Sequence, residues 1–448
     1  MTEPVRVVNA AAAAPLPAAH ADVPGRRRPG GATGRWFAAL REREDALFWT
    51  RAGATALSRA SLLVLGLVGA IVTARALGPG GRGVFALMLT VGAVGVQLGN
   101  LGLPAASAYF VARDAARLPA LLGVALAGGV GAGALALGLW LVGAAVPGLS
   151  PLSTGLLGLA VAWIPFGILL LLLQNLLLGL REIRLYNLTQ LAQDAAAVAL
   201  MVVLFGAGLA TARTLYLSSF AVLVVGTMGV LLLVLRRAGY RVERPAAELW
   251  RAAGGYGGRA YLATLFSFLV LQFDLLMVGR MLGAEAAGHY SIAARMAEML
   301  YMFPVAAGTV LFATVSALPS GGWAFARRAT STGAVLMLPV LALAGALAEP
   351  VVRILFGEAF LPAVPAFLWL LPGVYALSVN TLLMNYFAGT GMPLVTVLSP
   401  GAAAAVNVAL NLWLLPRLGI VGAAVASTIA YTLMLVFSGM YLRKGGRT

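Results

Sequence analysis

Apolar residues in this chain run in long stretches rather than alternating with polar ones. Between about residues 53 and 441 these stretches recur at lengths of 18 residues or more. Each is long enough to cross a hydrocarbon core of roughly 30 Å as an α-helix. A β-barrel would need short strands of alternating polarity instead. Hydropathy and turn signals together predict twelve transmembrane helices, near 53–74, 84–110, 119–145, 153–179, 187–208, 214–235, 260–280, 289–318, 330–348, 365–388, 393–415 and 419–441.

Two of the connections repeat the same residues. Residues 77–85 read LGPGGRGVF, residues 282–290 read LGAEAAGHY, and Arg75 and Arg280 precede them by two positions. These connections follow spans one and seven, so the chain is predicted to use a six-helix unit twice. Because six is even, both copies cross the membrane in the same direction, as parallel repeats do. The predicted units are an N-terminal lobe, a cytoplasmic linker and a C-terminal lobe, at 51–235, 236–256 and 257–441.

The basic residues predict which side of the membrane the ends occupy. With both termini inside, 22 lysine and arginine residues lie on the cytoplasmic side and six, including Arg82, lie outside. The positive-inside rule therefore favours cytoplasmic termini and an external 282–290 connection. Residues 1–50 are rich in Pro, Ala and Arg without helical periodicity and are predicted to form a disordered basic cytoplasmic arm. Residues 442–448 are the predicted cytoplasmic tail.

Composition narrows the possible functions. The chain is 61% hydrophobic and 10% charged, which excludes an ordinary soluble domain. With no cysteine and two histidines, it has no means to form a disulfide or a cysteine- or histidine-rich metal site, and no cofactor is predicted. The net charge of +16 lies mostly beside the spans, so it is read as an orientation signal and not as a nucleic-acid surface. The glycine-rich clusters lack the Gly-Lys-Ser/Thr end of a P-loop, and no ATPase is predicted.

Charged residues inside the spans are candidates for function, because each costs about 2.5–3.5 kcal/mol at the bilayer centre. Asp274 and Arg295 flank the 282–290 connection at similar distances, which predicts a structural ion pair across a hairpin. Glu298 lies one turn beyond Arg295 and could share its network. Asp194 and Glu298 are candidates for ion coupling or for lining a cavity.

Two further arginines predict a substrate site. Arg59 lies in the cytoplasmic third of span one, and Arg259 begins span seven in the other repeat. Guanidinium groups form bidentate bonds to phosphate oxygens, so these residues could bind an anion at the cytoplasmic mouth. The alternative is that both are snorkelling arginines. Asn407 and Asn411, one turn apart, predict interhelical hydrogen bonding or, alternatively, contact with sugar hydroxyls.

Three segments resemble a known family: NVALNLWLLPRLGIVGAAVASTIAY (407–431), FDLLMVGRMLGAEAAGHYSIAARMAEML (273–300) and LGPGGRGVFALML (77–89). They are similar to the polysaccharide-transport, O-antigen-flippase-like branch of the MATE-like multidrug/oligosaccharidyl-lipid/polysaccharide exporter superfamily. The resemblance covers about 50–441. It implies two six-helix lobes in a V around a cavity that opens alternately to either side. It also implies that the protein moves an undecaprenyl-diphosphate-linked oligosaccharide to the outer leaflet for surface polysaccharide assembly.

The prediction is therefore a non-enzymatic flippase of the bacterial inner membrane. Its expected partners are the lipid-linked oligosaccharide, the bilayer and, in the same pathway, a polysaccharide polymerase and assembly proteins. One alternative is a drug exporter of the same fold, in which Asp194, Asp274 or Glu298 carries H⁺ or Na⁺. A second is a membrane glycosyltransferase or polymerase. The second needs carboxylates or metal ligands on a substantial external loop, whereas the predicted external loops are short.

Overall fold

The computed structural model describes residues 32–146, 148–244, 247–318 and 322–444, with side chains from residue 61 onward except 247–257, Arg259 and Ala317. These residues form α-helices and two short 3₁₀ turns, with no strand among them. The helices are α1 (Ala32–Gly99), α2 (Leu103–Arg113), α3 (Leu118–Ala145), α4 (Thr154–Gly179), α5 (Ile183–Gly206), α6 (Ala212–Arg237), α7 (Ala247–Ala317), α8 (Trp323–Ala346), α9 (Ala348–Leu355), α10 (Ala363–Gly389), α11 (Val395–Leu418) and α12 (Ile420–Arg443).

Helices α1 and α7 each fold back on themselves at one glycine. Gly78 (φ 61°) and Gly283 (φ 89°) have left-handed backbone angles inside otherwise helical segments. In α7, Gln272 Nε2 donates to Glu298 Oε1 at 2.9 Å, although a straight helix would separate these residues by about 39 Å. Ten described helices are long and apolar enough to span a membrane. Since α1 and α7 each supply two crossings, the predicted twelve spans and two six-helix repeats are confirmed.

The ends of the predicted units differ from the structure. Helix α1 begins at Ala32, so residues 32–50 are helical and not part of an unstructured arm. The connection between the two units is also shorter than the predicted linker 236–256, since α6 ends at Arg237 and α7 begins at Ala247. The rest of the predicted arm, residues 1–31, lies outside the described residues, as do the last four residues of the predicted tail.

The helix predicted at 84–110 is interrupted. Helix α1 ends at Gly99, and α2 begins at Leu103 after a turn in which Leu101 and Gly102 have positive φ angles of 48° and 76°. The Asn100 side chain stabilises this turn, because its Oδ1 accepts a hydrogen bond from the Gly102 N–H at 3.0 Å. Asparagine and glycine both favour such turns.

A short helix that the hydropathy pattern missed, α9, lies between α8 and α10. It is amphipathic: Ala348 and Val352 are buried, whereas Glu349 and Arg353 are exposed and form a 2.7 Å ion pair. Eight residues are too few to cross a bilayer. Helix α9 therefore belongs to a connection at the membrane surface.

The two lobes, α1–α6 and α7–α12, meet along α1 and α7. A Cβ atom on Gly83 would overlap the carbonyl oxygen of Ala284, and one on Gly288 would overlap that of Pro79. The two repeated segments therefore pack backbone against backbone, which small residues permit in membrane helices. We call the membrane face that carries Gly78 and Gly283 the motif face. The opposite face, where α12 ends, is the terminal face.

Candidate functional site

A polar core surrounds Asp274 inside the C-terminal lobe. Asp274, on α7, is 2% exposed. Its carboxylate accepts hydrogen bonds from Tyr290 Oη at 3.0 Å, from Asn411 Nδ2 at 2.9 Å and from Ser427 Oγ. The donors come from the second half of α7, from α11 and from α12. We call these four residues the Asp274 core.

The Asp274 core leaves polar atoms unsatisfied. Asn411 Nδ2 also donates to the backbone and side-chain oxygens of Asn407, at 3.0 and 3.1 Å. Asn411 Oδ1 and Asn407 Nδ2 are buried without a hydrogen-bond partner among the described residues. An unpaired buried polar group is costly, so a native site commonly supplies it with a ligand or water. Carboxylate, amide and hydroxyl oxygens are the ligands that hard cations prefer. The core therefore offers oxygen atoms of the kind that a small hard cation prefers.

The predicted ion pair between Asp274 and Arg295 is wrong. Arg295 Nη1 instead pairs with Glu298 Oε2 at 3.2 Å, within the same helix. Asp274 forms a salt bridge with no described residue. The similar spacing of the two residues from the 282–290 connection predicts a similar depth in the membrane but not the direction in which each side chain points. Asp274 points towards α11 and α12, whereas the Arg295 side chain is 42% exposed.

A second group of polar residues, which we call the interlobe cluster, joins the two lobes. Its members are Arg82 on α1, Asp194 on α5, and Gln272, Arg295 and Glu298 on α7. Arg295 and Glu298 lie in the neighbourhood of Arg82, and Arg295 lies in that of Asp194, but none of these pairs forms a salt bridge among the described residues. Charged residues within membrane spans face a polar interior or a water-filled cavity. The cluster therefore marks a polar region between the lobes.

Arg82 is the most deeply buried cation of this cluster. It is 7% exposed, and its Nη1 donates to Thr73 Oγ1 at 2.8 Å. Its guanidinium carbon lies 5.8 Å from the centre of the Phe85 ring. Among the described residues Nε has no acceptor, and no carboxylate forms a salt bridge with Arg82. Such a group can donate to an anion that enters the cluster.

A small cavity connects the two sites. Its volume is about 30 Å³, and its lining includes Tyr290 of the Asp274 core and Glu298 of the interlobe cluster. Tyr301 and Tyr431 complete the polar part of the wall. One water molecule occupies about this volume in the liquid. The Asp274 core and the interlobe cluster therefore each contribute one wall residue to the same small cavity.

The structure brings together some of the predicted site residues. Glu298 forms an ion pair with Arg295, and Asp194 lies in the neighbourhood of Arg295 without a salt bridge to it. Arg59 belongs to α1 and Arg259 to α7, but the structure does not describe their side chains. The anion site at the cytoplasmic mouth therefore stays a prediction. Arg82 was missed, since a glycine-rich turn predicted an external loop there. The chain holds Arg82 inside the hairpin because only Gly78 departs from helical geometry.

The sequence resembles known proteins over part of its length. A family model described as "Polysaccharide biosynthesis protein" matches residues 180–365. An uncharacterized membrane protein of Methanocaldococcus jannaschii is 26% identical over 206 residues, which is 44% of this chain and 40% of that protein. The matched region thus spans less than half of that relative.

Solved structures share the fold over most of the chain. Lipid II flippase MurJ, in an inward closed conformation, superposes with a TM-score of 0.72 at 13% identity, over 87% of each chain. An inward-facing multidrug resistance MATE family transporter gives 0.65 at 15% identity, over 86% of this chain and 94% of the other. A transporter of the same superfamily from Pyrococcus furiosus gives 0.57 at 12% identity, over 86% and 95%. The predicted resemblance is confirmed at the level of the fold: the chain has the MATE-like fold of these transporters, and its described helices are those of a multi-pass membrane protein.

Proposed function

We propose that the protein is a flippase that moves an undecaprenyl-diphosphate-linked oligosaccharide from the inner to the outer leaflet of the bacterial inner membrane. The observation that carries this proposal is the buried Arg82, whose Nε has no hydrogen-bond acceptor among the described residues. Arg82 and Arg295 both belong to the interlobe cluster. Two guanidinium groups in one polar region suit a diphosphate, because each can form a fork of charge-assisted hydrogen bonds. The MurJ-like fold and the polysaccharide biosynthesis match support a lipid-linked glycan as the cargo.

Binding would rearrange the cluster. Glu298 and Arg295 form a partly exposed pair, with side chains 37% and 42% exposed, so an incoming diphosphate can replace Glu298 as the partner of Arg295. Glu298 then keeps its hydrogen bond from Gln272. Arg59 and Arg259 would capture the headgroup before it reaches Arg82. The oligosaccharide would occupy the interlobe region while the polyprenyl tail stays in the bilayer.

Two sources of energy fit this scheme. With the inside negative, a headgroup carrying about two negative charges gains about 2.3 kcal/mol per charge per 100 mV when it moves outward. The Asp274 core could couple a cation or proton gradient to the same movement. A cation-coupled drug exporter, the second candidate function, would use this core as well. It differs from the flippase in its cargo, and its transport would not depend on Arg82.

The proposal extends to location and partners. The excess of basic residues on one side favours cytoplasmic termini. In the cell the translocated glycan would pass to a polysaccharide polymerase and assembly proteins. The protein would act as a transporter rather than an enzyme, and it would perform no bond chemistry on its cargo.

Binding to purified protein tests the cargo class. We expect an undecaprenyl-diphosphate-linked oligosaccharide to raise the unfolding temperature of the wild type, because a ligand that binds the native state stabilises it. Arg82→Ala should lose this shift, and Arg82→Lys should recover part of it. Arg213→Ala, an exposed arginine at the start of α6, is the matched control and should behave like the wild type. Stabilisation by cationic drugs but not by the lipid would contradict the proposal and favour the exporter.

A further inference from the structure

Arg75 reaches from the N-terminal lobe to the C-terminal lobe at the motif face. It lies three residues before Gly78, at the end of the first span. Its Nε donates to the carbonyl oxygen of Leu355 at 3.0 Å, and its Nη2 donates to that of Ile354 at 2.5 Å. Both acceptors belong to the last turn of α9. The contact therefore joins two elements on opposite sides of the lobe interface.

The carbonyl groups that Arg75 binds are suited to a cation. The last carbonyls of an α-helix have no partner inside the helix, and they form the negative end of its dipole. The connection that carries them is fixed to the C-terminal lobe. His289 Nε2 lies 2.9 Å from the Ala359 oxygen, and Phe360, which is buried, packs against the His289 ring. Arg75 therefore contacts a connection that is itself packed onto the C-terminal lobe.

Arg280 also reaches the other lobe, by packing and without a hydrogen bond to a described residue. It occupies the same place in the second repeat, three residues before Gly283, and lies on the C-terminal lobe. Its Nη2 lies against Gly148 of the N-terminal lobe, 2.9 Å from the position a Cβ atom would take there. Gly148 has a φ of 79° and belongs to the connection between α3 and α4.

The two contacts occupy equivalent positions in the two repeats. The α3–α4 connection joins the third and fourth spans of the first repeat, and the connection containing α9 joins the third and fourth spans of the second. Each lobe therefore sends the arginine at the end of its first span to the same connection of the other lobe. This explains why the arginine recurs together with the glycines that it precedes.

We propose that Arg75 and Arg280 are reciprocal latches that keep the motif face closed, and that both must release before the transporter opens to that face. The proposal rests on alternating access, which is part of the proposed function. Separation of the lobes there would break two hydrogen bonds from a charged donor and expose the Gly83–Gly288 packing. At the terminal face, by contrast, the Tyr261 hydroxyl makes a neutral interlobe hydrogen bond to the Leu98 oxygen at 2.8 Å. Hydrogen bonds from charged groups are stronger than neutral ones, so the latches bias the transporter towards closure at the motif face.

Spin labels can measure this bias, because the chain contains no cysteine to interfere. Leu209→Cys and Leu418→Cys place one label on each lobe at the motif face, at exposed positions. The distance distribution between the labels is recorded by pulsed electron paramagnetic resonance in lipid nanodiscs. We expect Arg75→Ala to raise the ratio of long to short distances by about tenfold. Arg280→Ala should raise the ratio less, because Arg280 packs against Gly148 without a hydrogen bond, and the double variant should raise it further than either. Arg75→Lys should give a smaller change, since one ammonium cannot serve both carbonyls.

Two controls make the result specific. Arg213→Ala removes an exposed arginine of the same face that makes no ion pair with a described residue, and it should leave the distances unchanged. Tyr261→Phe should not increase the long distances, because it loosens the opposite face. Unchanged distances in the Arg75→Ala/Arg280→Ala variant would overturn the latch proposal, as would an equal shift in Arg213→Ala. The readout needs no substrate, so its failure leaves the flippase proposal standing.

Discussion

Asp274 and Arg295 sit at similar depths in the membrane but have different surroundings. Asp274 is enclosed by three hydrogen-bond donors of the C-terminal lobe. Arg295 belongs to the interlobe cluster, where its partner Glu298 is on the same helix. The difference follows from the helical twist, since residues at one depth can point into a lobe or out of it. The two residues should therefore act independently when they are changed.

We predict that Arg295→Ala does not rescue Asp274→Ala. Removing the Asp274 carboxylate leaves the Tyr290 and Ser427 hydroxyls without this acceptor, at a cost of about 1–3 kcal/mol per unsatisfied buried group, whereas Asn411 keeps the oxygens of Asn407. Breaking the partly exposed Arg295–Glu298 pair costs about 0.2–1 kcal/mol. Thermal unfolding in detergent micelles should show that the two effects add within error. A double variant clearly more stable than Asp274→Ala alone would restore the ion-pair interpretation.

We predict that Asp274→Asn separates folding from coupling. Asparagine keeps the size of the side chain but removes the charge that a cation or proton would neutralise. The variant should reach normal abundance in the membrane, while its transport loses its dependence on an imposed Na⁺ or H⁺ gradient. Glu349→Gln, on the exposed surface of α9, is the acidic control and should retain the wild-type gradient dependence. Full gradient dependence in Asp274→Asn would remove the Asp274 core from the coupling mechanism.

At the scale of elements, the repeated glycines hold the two hairpins together. Gly83 and Gly288 lie where each hairpin meets the backbone of the other, so neither position has room for a side chain. Gly78 and Gly283 instead supply the left-handed angle at which each hairpin turns. The repeat thus encodes both the turn and the packing of the interface.

We predict that Gly83→Ala destabilises the closed motif face, because the new methyl group would overlap the Ala284 carbonyl and force the hairpins apart. Overpacking of this kind costs about 1–3 kcal/mol. Gly80→Ala is the matched control: no atom lies within 4 Å of its Cβ position, and alanine is favoured over glycine in a helix by about 0.5–1 kcal/mol. Thermal unfolding should show a loss for Gly83→Ala and none for Gly80→Ala. Equal stability of the two variants would contradict the backbone packing.

Much of the fold could be predicted from sequence, because span length and turn residues are local signals. The twelve crossings follow from the apolar stretches, and the two repeats follow from the residues shared by the 77–85 and 282–290 connections. Helix α9 was missed because a short amphipathic surface helix does not produce a long apolar stretch. The break at Asn100–Gly102 was missed because the flanking residues remain apolar through the turn. Both misses lie where tertiary packing, and not hydropathy, decides the backbone.

The site was harder to predict than the fold. Asp194, Asp274, Arg295 and Glu298 were found because a charge inside a span is conspicuous. Their partners depend on which way each helix face points, and this is set by contacts between helices that are far apart in sequence. Arg82 shows the same limit: its glycine-rich neighbours indicated a loop, whereas the structure places it inside the hairpin.

At the scale of the whole molecule, the repeats have diverged in their interiors. At the 205-residue spacing of the motif, Asp274 corresponds to Gly69 and Tyr290 to Phe85. The N-terminal lobe therefore lacks the carboxylate and the hydroxyl at these positions. The Asp274 core belongs to one lobe, while the interlobe cluster draws on both. This division would let a cation act on one lobe and thereby change its contact with the other.

We predict that both termini face the cytoplasm. The distribution of 22 basic residues against six should orient the chain during insertion. In intact cells whose outer membrane is not a barrier, a tag at residue 209, between α5 and α6, should be accessible to an external reagent. A tag at the C-terminus should be protected from the same reagent. Reversed accessibility would place the motif face inside and reverse the proposed direction of transport.

The central claim is tested most directly by lipid translocation in proteoliposomes. Purified protein is reconstituted with a fluorescent undecaprenyl-diphosphate-linked oligosaccharide, and movement between leaflets is followed by quenching from outside. We expect the wild type and Arg213→Ala to translocate the lipid. Arg82→Ala should reduce the rate by about tenfold or more, since one charge-assisted contact contributes about 1.5–3 kcal/mol, and Arg82→Lys should retain part of it. Two results would contradict the account. One is translocation of the lipid by Arg82→Ala at the wild-type rate, and the other is a wild-type protein that exports cationic drugs but does not translocate the lipid.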